Sequence, residues 1–551
     1  MKFKKPTLNW VLEKSKPLIP AMLVICIIGM ISSLCAVWIA LQSKTVIDNA
    51  VLGIRSDFIK SIILLVIIIL MQFLLNGIYM KISSDTVAKY SLRLQREVFN
   101  DVIHMKYKDI ISYHTGELMN RISSDAETVM CGILGIIPNV FTFAAGIIAA
   151  FIALYIIEPY FAIMCVILGL SVAAGVLLFG KKLKHYSKEC RKRSDECNSF
   201  MMECIQNILP IKSFLNEEKI VENSAEIQKR AYISLKKRNN ANIVARLSAS
   251  FVFSMGYYIA LGWGAFKIMN DTAFSYGKLI AMLQLVVQIQ SPFKDISSII
   301  PQYYSMLASA DRIIEISSKE KDIEDTKEDI RDFEKIKFEG ITFGYNDELV
   351  FENADFEIDK NNFYTLVGIS GIGKSTLLKL LLGIYTPDEG KISIVYSDGS
   401  EEILSAKHRK LFSYVPQGNM ILSGTIRKNV VFFNKTDDEQ KVIKCLKLAG
   451  LWDDVCEMTN GINTKIGENG TGISEGQAQR VAIARALYYN APIILFDEAT
   501  SALDNETEKN VLYNIRKLNN KTCILVSHKP AAEEITDLKV EIESRKIKWK
   551  K

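Results

Sequence analysis

One short stretch, Gly368-Ile-Ser-Gly-Ile-Gly-Lys-Ser375, combines glycines, a lysine and a hydroxyl at a spacing that suits phosphate. It fits the pattern G-x-x-x-x-G-K-[ST] in full. Glycine lacks a Cβ, so Gly368, Gly371 and Gly373 let backbone N–H groups approach phosphate oxygens closely. Lys374 brings a full positive charge to the β- and γ-phosphates, and the Ser375 hydroxyl reaches a bound Mg²⁺. The flanks agree: Phe363 to Val367 is a short apolar strand, and Ser375 to Leu382 is a helix start whose positive dipole end faces the phosphates. A second chemical pair follows downstream. The run Ile493 to Phe496 has only apolar residues, as a buried parallel strand does, and it ends in Asp497-Glu498. Carboxylates at the C-terminal end of such a strand sit where α/β sheets bind ligands. Asp497 is expected to hold Mg²⁺, and Glu498 to orient and polarise an attacking water.

The elements that position these groups differ in the two halves of the chain. Of the 551 residues 49% are hydrophobic and 23% charged, an unusual pair that is resolved by separation along the sequence. Up to Ile316 the chain is a series of long apolar runs, and after it come short alternating segments with glycine turns. The formal net charge of +6 is too mild to indicate nucleic acid, and the basic residues beside the apolar runs suit anionic lipid surfaces. The ten cysteines form no CxxC pair, so neither a zinc site nor a disulfide framework is supported. Cys190, Cys197 and Cys204, spaced by seven, read as one helix face.

A membrane span needs about 20 mostly apolar residues. Six segments qualify: Leu18 to Leu41, Phe58 to Met80, Gly132 to Ile157, Tyr160 to Gly180, Ser248 to Met269 and Leu279 to Ile300. The last carries Gln284, Gln288 and Gln290 and is expected to break at Pro292. Those glutamines either bond between helices or line a polar pathway. The connections at 81–130 and 181–246 are long and rich in Lys and Arg, whereas the others are short. That asymmetry puts both termini and the C-terminal half in the cytoplasm, with the chain in the cytoplasmic membrane. The two long connections read as helices extended into the cytosol. Their tips are expected near Tyr113 to Asp125, broken at Gly116, and near Asn207 to Glu217, broken at Pro210. A charged stretch, Ser317 to Asp332, reads as a linker.

With these features in order, Gly472-Ile-Ser-Glu-Gly-Gln-Ala-Gln-Arg480 resembles the signature sequence of ATP-binding cassette (ABC) transporters. Ser474, Gly476 and Gln477 take the signature positions, with Glu475 and Ile473 as variants of the commonest form. Tyr345 resembles the residue that stacks on adenine, and Gln417 the glutamine that contacts Mg²⁺. Thr464 to Gly470, with the acidic Glu468, looks like an exporter-specific segment, and Ser501 to Asp504 like the D-loop. His528 resembles the switch histidine at the γ-phosphate. The resemblance implies a multidomain fold, an all-α six-helix transmembrane domain of exporter type (1–316), the charged linker (317–332) and an α/β P-loop NTPase domain (333–551). It implies ATP and Mg²⁺ as cofactors. Ser375, Gln417 and Asp497 would form the metal set and Glu498 and His528 the catalytic set. The nucleotide would lie on Tyr345, Gly368, Ser370, Gly371, Gly373, Lys374, Ser375, Thr376, Gln417, Ser474, Gly476, Gln477 and Asp504.

In such proteins the phosphate loop of one ATP-binding domain faces the signature of another, which implies a dimer. The full catalytic set favours a homodimer, with a heterodimer with a similar chain as the alternative. The expected activity is ATP-driven export of a peptide, drug-like or lipid cargo. The competing reading is an ATP-gated membrane regulator that moves no cargo. With residues 1–16 alone ahead of the first span, a fused leader-cleaving peptidase is not expected. The stretch after His528 looks shortened, which puts a complete C-terminal subdomain in doubt.

Overall fold

The computed structural model describes residues 5–550 except 272, 323–330, 347, 419, 468–469, 519 and 528. The chain divides into two compact units, 1–101 with 115–318, and 102–114 with 319–551.

The first unit is helical. It contains α1 (Lys5–Ser15), α2 (Ile19–Val51) and α3 (Arg55–Ile103, whose last residues cross into the second unit); α4 (Tyr107–Ile110) belongs to the second unit. It continues with α5 (Thr115–Asn120), a π-helical turn over 121–125, α6 (Ala126–Ile157), α7 (Pro159–Gln206), α8 (Ile208–Ser213), α9 (Glu217–Asn270) and α10 (Tyr276–Ser317). Each of the six apolar runs lies in one of the long helices α2, α3, α6, α7, α9 and α10. Among the described residues, three helical stretches, Pro6–Val51, Arg55–Ile103 and Thr115–Ile157, are long and apolar enough to cross a membrane. Small residues bring α2 and α6 together: Gly29 faces Thr142 and Gly146 faces Ser33, so closely that a Cβ on either glycine would clash. Gln288 on α10 donates to the Ser33 carbonyl (3.4 Å), which fits interhelical bonding for that glutamine.

Three expectations are corrected here. Pro292 does not break the sixth span, because α10 runs unbroken through both Pro292 and Pro301. Neighbouring helices stabilise a membrane helix around a missing N–H, so proline there is tolerated. The first tip comes earlier than expected. Helix α3 ends at Ile103, the reversal occupies 104–114, and Gly116 lies inside α5. The second reversal lies where it was expected, but Pro210 does not break it: Pro210 sits in the first turn of the short helix α8, and the chain turns at Asn207 and at 214–216.

A polar cluster fastens the π-helical turn ahead of α6 to α10. The Asp125 carboxylate accepts from Ser309 Oγ (2.9 Å) and Arg312 Nε (2.7 Å). Arg121 donates to Glu117 (2.6 Å) and Glu315 (3.0 Å). Asp125 is 2% exposed, whereas the Arg312 side chain is 44% exposed, so deleting Arg312 leaves a buried carboxylate with the Ser309 hydroxyl still bonded to it and water free to enter. Arg312→Ala is therefore expected to cost about 1–2 kcal/mol. The check is the thermal midpoint of the purified protein; an unchanged midpoint would show the cluster to be dispensable.

Among the described residues the second unit holds three sheets. Its strands are β1 (Phe333–Tyr345), β2 (Glu348–Asp359), β3 (Phe363–Val367), β4 (Glu389–Tyr396), β5 (Glu401–Ile403), β6 (Phe412–Val415), β7 (Gly424–Thr425), β8 (Lys465–Ile466), β9 (Ile493–Asp497), β10 (Thr522–Val526), β11 (Leu538–Glu543) and β12 (Lys546–Lys550). The main sheet has the order β12-β11-β3-β10-β9-β6, parallel except for β12. Strands β3, β9 and β10 are buried at every residue, because both sheet faces are covered. Alternate residues feed two cores: Ile494, Phe496, Cys523 and Leu525 face one, and Ile493, Leu495, Ile524 and Val526 the other.

The helices of this unit are α11 (Lys374–Leu381), α12 (Ile426–Val431), α13 (Glu439–Leu448), α14 (Trp452–Glu457), α15 (Glu475–Tyr489), α16 (Asn505–Arg516) and α17 (Pro530–Ile535). The stretch after His528 forms two strands. Strand β11 pairs with β3, and Trp549 on β12 packs against Phe356 (5.0 Å) and Tyr364 (5.9 Å). The charged stretch after α10 is more than a spacer. Lys106 N–H donates to the Glu320 carbonyl (3.2 Å) and Asp322 N–H to the His104 carbonyl (2.6 Å), so 320–322 lies strand-like along 104–106. Residues 323–330 of the expected linker lie outside the described residues.

Candidate functional site

Four parallel strands deliver the candidate groups to one edge. The phosphate loop follows β3, Gln417 follows β6, Asp497 ends β9 and Ser527 follows β10. In a parallel sheet this carboxyl edge is where ligands bind. Gly373, at φ +113°, adopts a conformation that side chains resist, and a Cβ there would run into Val350. It caps α11, whose first residues are Lys374, Ser375 and Thr376.

Ser375 Oγ donates to Asp497 Oδ1 (2.7 Å), and Tyr414 Oη donates to Asp497 Oδ2 (2.9 Å). Gln417 Nε2 donates to Glu498 Oε2 (2.7 Å). Asp497 is buried, and Glu498 sits at φ +50°, a left-handed conformation uncommon for a residue with a side chain. The Lys374 ammonium donates to the carbonyls of Gly368 (2.6 Å) and Ile369 (3.2 Å). Burial lowers its pKa, while Glu498 and Asp497 pull the other way. Burial raises the Tyr414 hydroxyl, and Asp497 beside it reinforces the shift, so Tyr414 stays a donor. Hydroxyl, carboxylate and amide oxygens are hard donors, and few of them come from protein carboxylates. This donor set fits Mg²⁺, which keeps waters and substrate phosphates as its other ligands.

The remaining predicted residues are placed as follows. Tyr345 lies at the end of β1, its hydroxyl 3.2 Å from Thr376 Oγ1. Ser474 caps α15 in a reciprocal pair with Gln477, which fixes where the signature helix begins. A Cβ at Gly476 would sit 3.1 Å from the Ala502 carbonyl, so glycine permits a close approach of the D-loop backbone. Asp504 caps α16 through the Thr507 N–H (2.9 Å), and the Thr507 hydroxyl together with that N–H lowers its pKa. Ser370 and Gly371 lie in the phosphate loop. Glu468 and His528 lie outside the described residues.

Some positioning residues were missed by the sequence reading. Tyr414 orients Asp497. Gln479 ties the signature helix to the D-loop, donating to Ser501 Oγ (3.1 Å) and accepting from the Ala502 N–H (3.0 Å). Lys529, beside His528, donates to the carbonyls of Thr500 (2.9 Å) and Leu503. Each acts across tens of residues of sequence, and no local pattern marks them.

Residues 18–293 match the family described as ABC transporter transmembrane region, and residues 351–501 the family described as ABC transporter. An export ATP-binding/permease protein of Rickettsia bellii is 27% identical over 524 residues, 94% of this chain and 90% of that protein. The ATP-dependent lipid A-core flippase of Pasteurella multocida is 26% identical over 87% of this chain and 84% of its own length. A bacterial Atm1-family ABC exporter solved with ATP bound superposes with a TM-score of 0.81 at 20% identity, over 96% of this chain and 94% of that one. A helical membrane region and an ATP-binding domain in series, matched along nearly the whole chain, place this protein in the ABC transporter family, as an exporter-type half-transporter that couples ATP hydrolysis to transport across a membrane.

Proposed function

We propose that two copies of this chain sandwich two ATP molecules, and that the closure drives export of an amphipathic, lipid-like cargo across the cytoplasmic membrane. The observation that carries the reading is the Ser375–Asp497 pair at the mouth of the phosphate loop with Glu498 held beside it by Gln417. Bound Mg²⁺ would be held by Ser375, Asp497 and Gln417 and would neutralise phosphate charge. Lys374 would bind the β- and γ-phosphates, Tyr345 would stack on adenine, and Glu498 would orient and polarise the attacking water. His528 would contact the γ-phosphate. Ser474, Gly476 and Gln477 would close over the ATP of the second copy.

Pairing has support from the membrane half as well. Around α8, Leu209 is 77% exposed, Phe214 74% and Leu215 84%, an apolar tip that a second copy would cover. The basic connections support a cytoplasmic position for both tips. The choice of cargo rests on the flippase relatives and on the apolar spans.

The test is reconstitution in liposomes with fluorescent phosphatidylethanolamine, a fluorescent peptide and a dye as probes. ATP-dependent translocation of the lipid with stimulated ATPase activity is the expected result. Translocation of the peptide alone would replace the cargo class. ATP-dependent ion conductance with no probe moved would overturn transport in favour of gating.

A further inference from the structure

A cavity of about 320 Å³ lies within the first unit, between α1, α3 and α6. Its volume is at the small end of ligand sites, roughly 300–1,000 Å³. Trp10, Glu13 and Lys14 of α1 and Arg93 and Glu97 of α3 line it. Leu94 and Met130, 3% and 4% exposed, form its apolar floor. Beside them the Tyr90 hydroxyl donates to the Pro17 carbonyl (3.2 Å). None of these groups takes part in the nucleotide chemistry.

The charges are arranged in two sets. Lys14 Nζ pairs with Glu97 Oε2 (2.6 Å), and Arg93 Nε with Glu97 Oε1 (3.3 Å). Two cations share one carboxylate, so this trio keeps one net positive charge. The Lys14 and Arg93 side chains are 34% and 62% exposed, which leaves both open to a further partner. Glu13 adds a separate negative charge on α1. Lys14 Nζ stands 5.7 Å from the centroid of the Trp10 ring, so that ring face suits a cation. A positive seat and a negative seat in one cavity fit a zwitterion better than a bare anion, which Glu13 would repel.

The bilayer supplies such a group at this place. Thr7, Val11 and Ser15 are buried at four-residue spacing, and Thr7 donates to Asp311, so one face of α1 is fixed on the protein. Leu8 and Leu12 are 44% and 52% exposed on another face. A helix divided in this way lies in the membrane interface. The apolar run of α2 begins at Leu18, next to Pro17, and that of α6 at Gly132, two residues after Met130. The cavity therefore stands at the level of the headgroups, where Trp and Tyr gather.

We infer that this cavity holds the headgroup of an amine-bearing glycerophospholipid, with its phosphate on Lys14 and Arg93 and its ammonium on Glu13 and the face of Trp10. The lipid binds as a resident between α1 and α3, whatever the exported cargo.

The experiment is native mass spectrometry of the full chain in detergent, titrated with phosphatidylethanolamine, with phosphatidylglycerol and with soluble glycerophosphoethanolamine. The first shares its phosphate with the second and its headgroup with the third. Phosphatidylethanolamine is expected to bind about fivefold more tightly than phosphatidylglycerol, the scale of one partly exposed charge contact. Glu13→Gln should erase that preference, and Arg93→Gln should weaken both lipids about fivefold. Both residues are exposed, so neither change threatens folding. Lipid bound elsewhere, cargo included, is untouched by either variant, so the change from the starting protein reads this cavity alone. Equal affinity for the two lipids in the starting protein, or a preference retained in Glu13→Gln, would overturn the proposal. Lipid binding unchanged in Arg93→Gln would overturn the phosphate seat. Glycerophosphoethanolamine bound as tightly as the lipid would overturn the assignment to the membrane.

Discussion

Glu498→Gln is expected to leave ATP binding within about twofold and to lower steady-state hydrolysis by about 10²–10³-fold, the scale for loss of one group that stabilises a developing charge. Glutamine has the same shape, so the substitution tests the charge and not the packing. Gln417 donates to Glu498 Oε2, and the amide oxygen of glutamine can accept the same bond. The φ of +50° at this position is retained as well, because the change lies beyond the Cβ. A residue held there costs about 1–3 kcal/mol, and such strain persists only where the surroundings enforce it. Here they do: the Glu498 N–H donates to the Val526 carbonyl (3.2 Å) on the neighbouring strand. What the variant lacks is a full negative charge to polarise water. Phosphate release and nucleotide binding measured on the same proteoliposomes give both halves of the answer. Hydrolysis within threefold of the starting protein would remove Glu498 from the catalytic role.

The chemistry of the phosphate loop was legible because it is written in local sequence. Glycines are required where φ is positive, as at Gly373, and a charge and a hydroxyl must follow at once on the helix. Strands β3 and β9 were legible, since a strand buried on both faces reads as a nearly continuous apolar run. The turn of the first long connection was not. Gly116 looked like a breaker, yet it sits inside α5, and the real reversal at 104–114 is fixed by Glu320 and Asp322, over two hundred residues away. Pro292 misled for a related reason. In a soluble helix an interior proline is disruptive, but α10 is held by α2 and α6 along its length, and the proline passes. The stretch after His528 looked shortened by its length alone, and strands β11 and β12 were not read in it. Their stability comes from pairing with β3 and from Trp549 on Phe356 and Tyr364, contacts a single sequence does not display. Tyr414 and Gln479 stayed hidden in the same way: each is an ordinary residue type whose partners come from distant segments.

Mixing two inactive variants should restore hydrolysis if two copies complete each other's sites. Lys374→Ala removes the phosphate-binding charge, and Ser474→Arg places bulk and charge at the start of the signature helix. Each alone is expected to reduce ATPase activity by at least about a hundredfold, since both sites of a symmetric dimer carry the lesion. The folding risk is small for the first, whose ammonium bonds the loop carbonyls of Gly368 and Ile369 and joins no core. In the second, the cap of α15 loses its acceptor, at a cost of about 1 kcal/mol, too little to unfold a domain with two buried cores. Co-expression makes half of the dimers mixed. A mixed dimer pairs the sound phosphate loop of the Ser474→Arg chain with the sound signature of the Lys374→Ala chain, while its other site carries both defects. Recovery is therefore expected to approach roughly a quarter of normal activity, and less where the two sites must fire together. Differently tagged chains purified by both tags isolate the mixed species and remove the statistical factor. Activity no higher than in either parent would show that the phosphate loop and the signature do not meet between copies of this chain, and the second half of each site would have to come from a different polypeptide.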